Sequence, residues 1–150
     1  MSSGQHKRVL IVDDDLVIRE LLTSALEESS LQVDWAGDGR QGLELMQKNQ
    51  YAVVLLDLLM PGMNGFEVLE QLEEDVRPVV LVITGADQST VAELDSRVVH
   101  GIVRKPFDPH ELADLVRACA EIRERGPLGA MALASVIAGG PLFALYINRF

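Results

Sequence analysis

The sequence predicts an α/β domain of the doubly wound class, a five-stranded parallel sheet alternating with five helices as (βα)5. Three observations carry this. Short apolar runs rich in β-branched residues recur along the chain, each is followed by a segment of helical periodicity, and no hairpin signal joins one run to the next. Successive strands must then pair in parallel through right-handed crossovers, which puts helices on both faces of the sheet. A chain of 150 residues, 48% hydrophobic and 24% charged, has the length and balance of one folded globular core.

Val9 to Val12 is a short apolar run that stops at Asp13-Asp14-Asp15, as a strand buried on both faces would. From Leu16, the apolar residues Ile18, Leu21, Leu22, Ala25 and Leu26 fall mostly on one helical face, with Asp15 placed as cap and Ser29-Ser30 as terminator. Leu31 to Ala36 reads as the second strand and Arg40 to Lys48 as the second helix. Tyr51 to Leu56 is the third strand, ending at Asp57. Gly62 and Gly65 flank Met63-Asn64 in a tight turn before a helix from Phe66 to about Asp75. Pro78 precedes Val79 to Ile83, a continuous apolar run that ends at Thr84. Gln88 to Ser96 is read as the fourth helix and Val99 to Arg104 as the fifth strand. The closing helix, Pro109 to Arg125, has Asp108 as cap and Pro109 in its first position. The whole is a flavodoxin-like pattern.

In such sheets ligands bind beyond the carboxyl ends of the strands, so the residues just after each strand are the ones to inspect. They are Asp13 and Asp14, then Asp57, Thr84 and Lys105-Pro106. Three carboxylates on one rim repel by several kcal/mol unless a cation neutralises them, which predicts a hard divalent ion with oxygen ligands, Mg²⁺ or Mn²⁺. A lone aspartate after a strand is usually a helix cap or turn former, and Asp15 is read as that and no more.

These residues carry a resemblance. Val9-Leu10-Ile11-Val12-Asp13-Asp14-Asp15, the stretch Leu55-Leu56-Asp57-Leu58-Leu59-Met60-Pro61-Gly62-Met63-Asn64-Gly65, and Lys105-Pro106-Phe107 resemble the receiver domain of two-component response regulators, over about Lys7 to Arg125. The resemblance implies that Asp57 is a phosphoacceptor, that Asp13 and Asp14 are the acidic pair holding the metal, and that the backbone carbonyl of Leu59 completes the protein's metal ligands. It also implies a cis bond between Lys105 and Pro106 and a sensor histidine kinase or phosphotransfer protein as donor. Lys105 and Thr84 would meet the phosphoryl oxygens, and Thr84 would draw its loop inward as the switch. In relatives an aromatic residue three before the lysine follows that movement; here the position holds Ile102, which cannot swing a ring, so the output is expected to be muted or differently built. Leu59 places a bulky apolar side chain in the path of an attacking water, which leads to an expectation of slow self-dephosphorylation.

The net charge of −10, with no Lys/Arg-rich stripe, argues against direct nucleic-acid binding. Cys119 is the only cysteine, so no internal disulfide forms, and it is read as a packing residue. His6, His100 and His110 lack ligand spacing and are read as surface or capping residues, and Trp35 as core or partner surface. The N-terminus is unlike a signal peptide, so a cytoplasmic domain is expected.

Residues 126–150 form a distinct tail. Gly126 to Asn148 is 23 residues without a charge, bounded by Arg123 and Arg125 before it and Arg149 after. That is the length of a bilayer-crossing helix, and the preceding arginines would hold the domain at the inner face of the cell membrane. Ala130, Ala134 and Ala138 add a small-residue face suited to helix packing in lipid. The other readings are a linker to an output module, a helix that docks on the domain, or one that pairs two copies in a homodimer.

Two functions compete with the phosphoacceptor switch. A pseudo-receiver would share the fold and act by protein binding without phosphorylation. A Mg²⁺-dependent phosphohydrolase would commonly place a second aspartate two residues beyond its nucleophile, where this chain has Leu59, and no Gly-rich phosphate loop opens any helix. The expectation is therefore a switch that assists its own phosphorylation rather than a turnover enzyme, signalling through a separate output partner.

Overall fold

The computed structural model describes residues 7–72, 78–95 and 97–123. Five strands, β1 (Arg8–Val12), β2 (Gln32–Ala36), β3 (Val53–Asp57), β4 (Val79–Thr84) and β5 (Gly101–Arg104), form one sheet in the order β2-β1-β3-β4-β5, every pair parallel. Between and after them lie α1 (Leu16–Glu28), α2 (Gly39–Lys48), α3 (Gly65–Glu70), α4 (Gln88–Val91) and α5 (Pro109–Arg123). The chain leaves β1 for the β2 edge and then returns to build β3, β4 and β5 on the other side. The crevice above β1 and β3 is therefore the place where the winding reverses.

The apolar runs are continuous because both faces of the sheet are covered. Val9, Ile11, Leu55, Leu81 and Val103 pack with Leu22 and Leu26 of α1 and Leu112 and Val116 of α5. On the opposite face Leu10, Val12, Leu56, Val82 and Ile102 pack with Val68 and Leu69 of α3 and with Leu94. Cys119 is fully buried in the first of these layers, and burial pushes its thiol up to about 12, consistent with a packing residue.

Asp15 caps α1 by accepting the N–H groups of Val17 and Ile18, and Ser29 and Ser30 close the helix, Ser30 with φ of 64°. Asp108 accepts the N–H groups of His110 and Glu111 at the start of α5. Tyr51, read from sequence as the first residue of a strand, lies before β3. Its hydroxyl donates to Asp34 Oδ2 at 2.6 Å, and the Arg8 guanidinium joins that carboxylate, at 2.5 Å, to Asn49 Oδ1, at 2.9 Å. This polar network ties β1 and β2 to the turn before β3.

The fourth helix is shorter than its periodicity suggests. It stops at Val91, after which the N–H groups of Glu93 and Leu94 bond to Thr90 O and Val91 O in tighter turns, and a further turn at Asp95, whose side chain accepts the Arg97 N–H, leads on to β5. The expected end of the third helix at Asp75 lies outside the described residues, as do Ser96 and Arg125. So does the whole 126–150 tail. Among the described residues no helix is long and apolar enough to cross a membrane.

Candidate carboxylate site at the carboxyl edge of the sheet

Four side chains singled out from sequence, those of Asp13, Asp14, Asp57 and Lys105, meet in the crevice above β1 and β3. Asp13 follows β1 directly, and its backbone N–H is held by Ala36 O at 3.1 Å. Its Oδ1 accepts the Asp15 N–H at 2.9 Å, which leaves Oδ2 turned toward Lys105. Asp57 is the last residue of β3, paired with Ile83 of β4, and Leu56 before it pairs with Val12 of β1, which fixes where its backbone stands. Carboxylate oxygens of Asp13, Asp14 and Asp57 lie within 4.8 Å of one another, with Asp13 and Asp57 buried and Asp14 exposed.

The Lys105 backbone N–H continues the β4–β5 pairing to Thr84 O at 2.9 Å, which brings its side chain to this end of the sheet; the Lys105–Pro106 bond is cis, as the resemblance implies. Its Nζ stands 3.3 Å from Asp13 Oδ2 and 3.5 Å from Asp57 Oδ2. One ammonium against three carboxylates leaves a local excess of negative charge. An all-oxygen donor set with that charge fits a hard divalent cation, and suits a thiolate- or imidazole-seeking metal poorly.

The Leu59 N–H faces Asp57 Oδ1 at 3.4 Å, so its peptide lies beside the carboxylate while its side chain is exposed at the mouth. Thr84 is fully buried, and its Oγ1 accepts the Ala86 N–H at 2.9 Å. A guanidinium N–H of Arg104 donates to Ala86 O, so β5 holds the loop that follows Thr84. Ile102 is buried between the sheet and the α3–α4 side, in the same cluster as Leu58 and Leu94.

Burial holds Asp57 above the ordinary carboxylate value of 3.8, and the neighbouring Asp13 charge adds to this, against the pull of Lys105 and the Leu59 N–H. A raised native value means that the folded chain binds this proton more tightly than the unfolded one. Asp57 therefore favours folding at low pH, and that contribution is lost as pH rises from about 3.8 through the raised native value. In EDTA, Asp57→Asn is expected to be more stable than the wild type at neutral pH, by about 1 kcal/mol after Lys105 offsets part of the like-charge repulsion. The gap should close as pH falls through that window, and saturating Mg²⁺ should reverse it. Urea denaturation across pH checks this; a gap that widens toward acid contradicts it.

Trp35 has a role that its residue type alone does not reveal. Its Nε1 donates to the backbone carbonyl of Asp13 at 3.0 Å, and the Arg19 guanidinium lies 3.7 Å from its ring centroid. The available signal was positional: Trp35 sits one residue from the end of a strand that pairs with β1. His100 also departs from a plain surface role, since its Nδ1 accepts the Val80 N–H at 3.0 Å where β4 and β5 begin to pair. His110 is exposed, as expected.

Comparison with known proteins agrees with this geometry. The family described as response regulator receiver domain matches residues 9–117. Transcriptional regulatory protein HprR of Escherichia coli is 34% identical over 125 residues, which are 82% of this chain and 55% of HprR. Transcriptional regulatory protein SrrA of Staphylococcus aureus is 38% identical over 112 residues, 73% of this chain and 46% of SrrA. The chain thus spans about half the length of the curated relatives it matches. Among solved structures, a CheY-like receiver domain protein of Methanospirillum hungatei superposes with a TM-score of 0.74 at 25% identity, covering 81% of this chain and 98% of that one. Response regulator protein TrrA of Thermotoga maritima, in complex with Mg²⁺–BeF, superposes with a TM-score of 0.67 at 32% identity, covering 75% and 98%. With the carboxylate crevice at the winding reversal and the family match over most of its length, the chain belongs to the response regulator receiver domains of two-component systems.

Proposed function

We propose that Asp57 accepts a phosphoryl group from a phosphohistidine of a sensor histidine kinase or phosphotransfer protein, and that residues 7–125 form the unit that does so. Asp13, Asp14, Asp57 and the Leu59 carbonyl would hold Mg²⁺ or Mn²⁺, a reading supported by the oxygen donor set, the excess negative charge and the Mg²⁺–BeF complex of TrrA. When bound, the cation supplies neutralisation of the phosphoryl oxygens. A carboxylate oxygen of Asp57 attacks phosphorus in line. The new O–P bond forms as the N–P bond to the donor imidazole breaks, and the bonding pair stays on the departing nitrogen.

Lys105 Nζ, set between Asp13 and Asp57, is placed to meet one oxygen of the acyl phosphate as charge accumulates. Thr84 can still donate its hydroxyl hydrogen while its oxygen accepts from Ala86, so a phosphoryl oxygen within reach would recruit it and pull on the loop that Arg104 holds. A gain of about 1 to 3 kcal/mol from such a bond is enough to tip a balanced pair of states. The domain then acts as a switch on a separate output partner rather than as a turnover enzyme.

The observation that carries this reading is the convergence of Asp13, Asp14, Asp57 and Lys105 on one crevice. It also disfavours a pseudo-receiver, for which none of the reactive groups need meet. Incubation with acetyl phosphate and Mg²⁺ is expected to add one phosphoryl mass to the intact wild-type chain, and none to Asp57→Asn or in EDTA. An unchanged wild-type mass would count for the pseudo-receiver.

A further inference from the structure

We infer that Trp35 is a positioning residue for the metal ligand Asp13, and that Arg19 holds it in place; the inference rests on the metal reading proposed above. Asp13 is restrained at four points: its N–H by Ala36 O, its Oδ1 by the Asp15 N–H, its Oδ2 by Lys105, and its carbonyl by the Trp35 indole N–H at 3.0 Å. The first comes from the backbone of β2 and the second from the turn after β1. Lys105 is a counter-charge that a divalent cation would compete with. The indole is the restraint on the Asp13 peptide that comes from a side chain and would remain when a cation enters.

The ring is itself seated. The Arg19 guanidinium stacks 3.7 Å from its centroid, a cation–π contact that joins α1 to β2. On another side Gly37 leaves room for the ring, since a Cβ there would come within 3.0 Å of Trp35 Cη2. A guanidinium on α1, a ring on β2 and a carbonyl after β1 thus form one chain of contacts that ends at the acidic pair. Groups that fix a ligand residue in this way set the geometry the metal finds, and their loss lowers metal affinity by about tenfold or more.

The test uses loss of the free Mn²⁺ electron paramagnetic resonance signal, which reads binding without reference to phosphorylation, together with thermal melts in EDTA. Trp35→Phe keeps a ring for Arg19 but removes the N–H. It is expected to raise the Mn²⁺ Kd by about tenfold. Arg19→Met keeps the N–H and loosens the ring, so a smaller rise in the same direction is expected, and it carries the test should Trp35→Phe not fold. A folded Trp35→Phe that binds Mn²⁺ within twofold of the wild type overturns the inference, whatever its melting temperature. So does an unchanged Kd in Arg19→Met when that is the variant available. Failure of the wild type to take up Mn²⁺ would instead overturn the metal reading, and this inference with it.

Discussion

Lys105→Met is expected to slow phosphorylation of Asp57 by acetyl phosphate by about a hundredfold or more, while leaving divalent-cation binding as tight as in the wild type or tighter. The two halves of this expectation have one cause. Nζ stands 3.3 Å from Asp13 and 3.5 Å from Asp57, so it puts a positive charge beside the place where phosphoryl oxygens would sit. It is also a competitor for the carboxylates that would hold the metal. Methionine keeps most of the unbranched stem and its packing beside Pro106 while removing the charge. A time course of intact mass gives the rate, and Mn²⁺ titration gives the affinity. A Lys105→Met chain that phosphorylates at the wild-type rate would remove the lysine from the mechanism, and one that fails to bind metal would show the change to be structural.

The second large effect is on stability. Gly65→Ala is expected to destabilise the fold by about 3 kcal/mol or more, because its Cβ would lie 2.4 Å from Asp57 O and 2.7 Å from Leu58 Cα. Those are backbone atoms at and just after the end of β3, where Asp57 pairs with Ile83 of β4, and the Gly65 N–H donates to Leu58 O at 3.0 Å, so neither segment can yield cheaply. Any accommodation moves Asp57. Two controls grade the effect. Gly62 has φ of 72° with open space around it, so alanine there should cost about 1 kcal/mol from backbone strain alone. At Gly85 a Cβ would meet nothing closer than Lys105 Cβ at 3.9 Å, and the change should be near neutral. Urea denaturation of the three variants checks the order; Gly65→Ala matching Gly85→Ala would contradict the close approach.

How far the sequence could be read follows from which forces are local. The sheet and its carboxylate cluster were legible because buried parallel strands leave continuous apolar runs, as in Val79 to Ile83, and because the clustered carboxylates stand where such runs stop. Asp15 and Asp108 were legible as caps because capping acts over two or three residues. The end of α4 at Val91 was not, since the tighter turns at Glu93 and Leu94 leave no mark in the apolar spacing. Trp35 was not legible as a partner of Asp13 either. That contact spans 22 positions and depends on the β1–β2 register, in which Ile11 pairs with Trp35. Arg104 likewise reaches the loop after β4 only across a strand pair.

The most direct test of the phosphoacceptor assignment is to trap the acyl phosphate with borohydride after acetyl phosphate treatment and to locate the reduced residue by peptide mass. Conversion of Asp57 to homoserine, dependent on Mg²⁺ and absent in EDTA, is the predicted result. Reduction at Asp13 or Asp14, or at no residue while the wild-type chain is folded and metal-loaded, would contradict it.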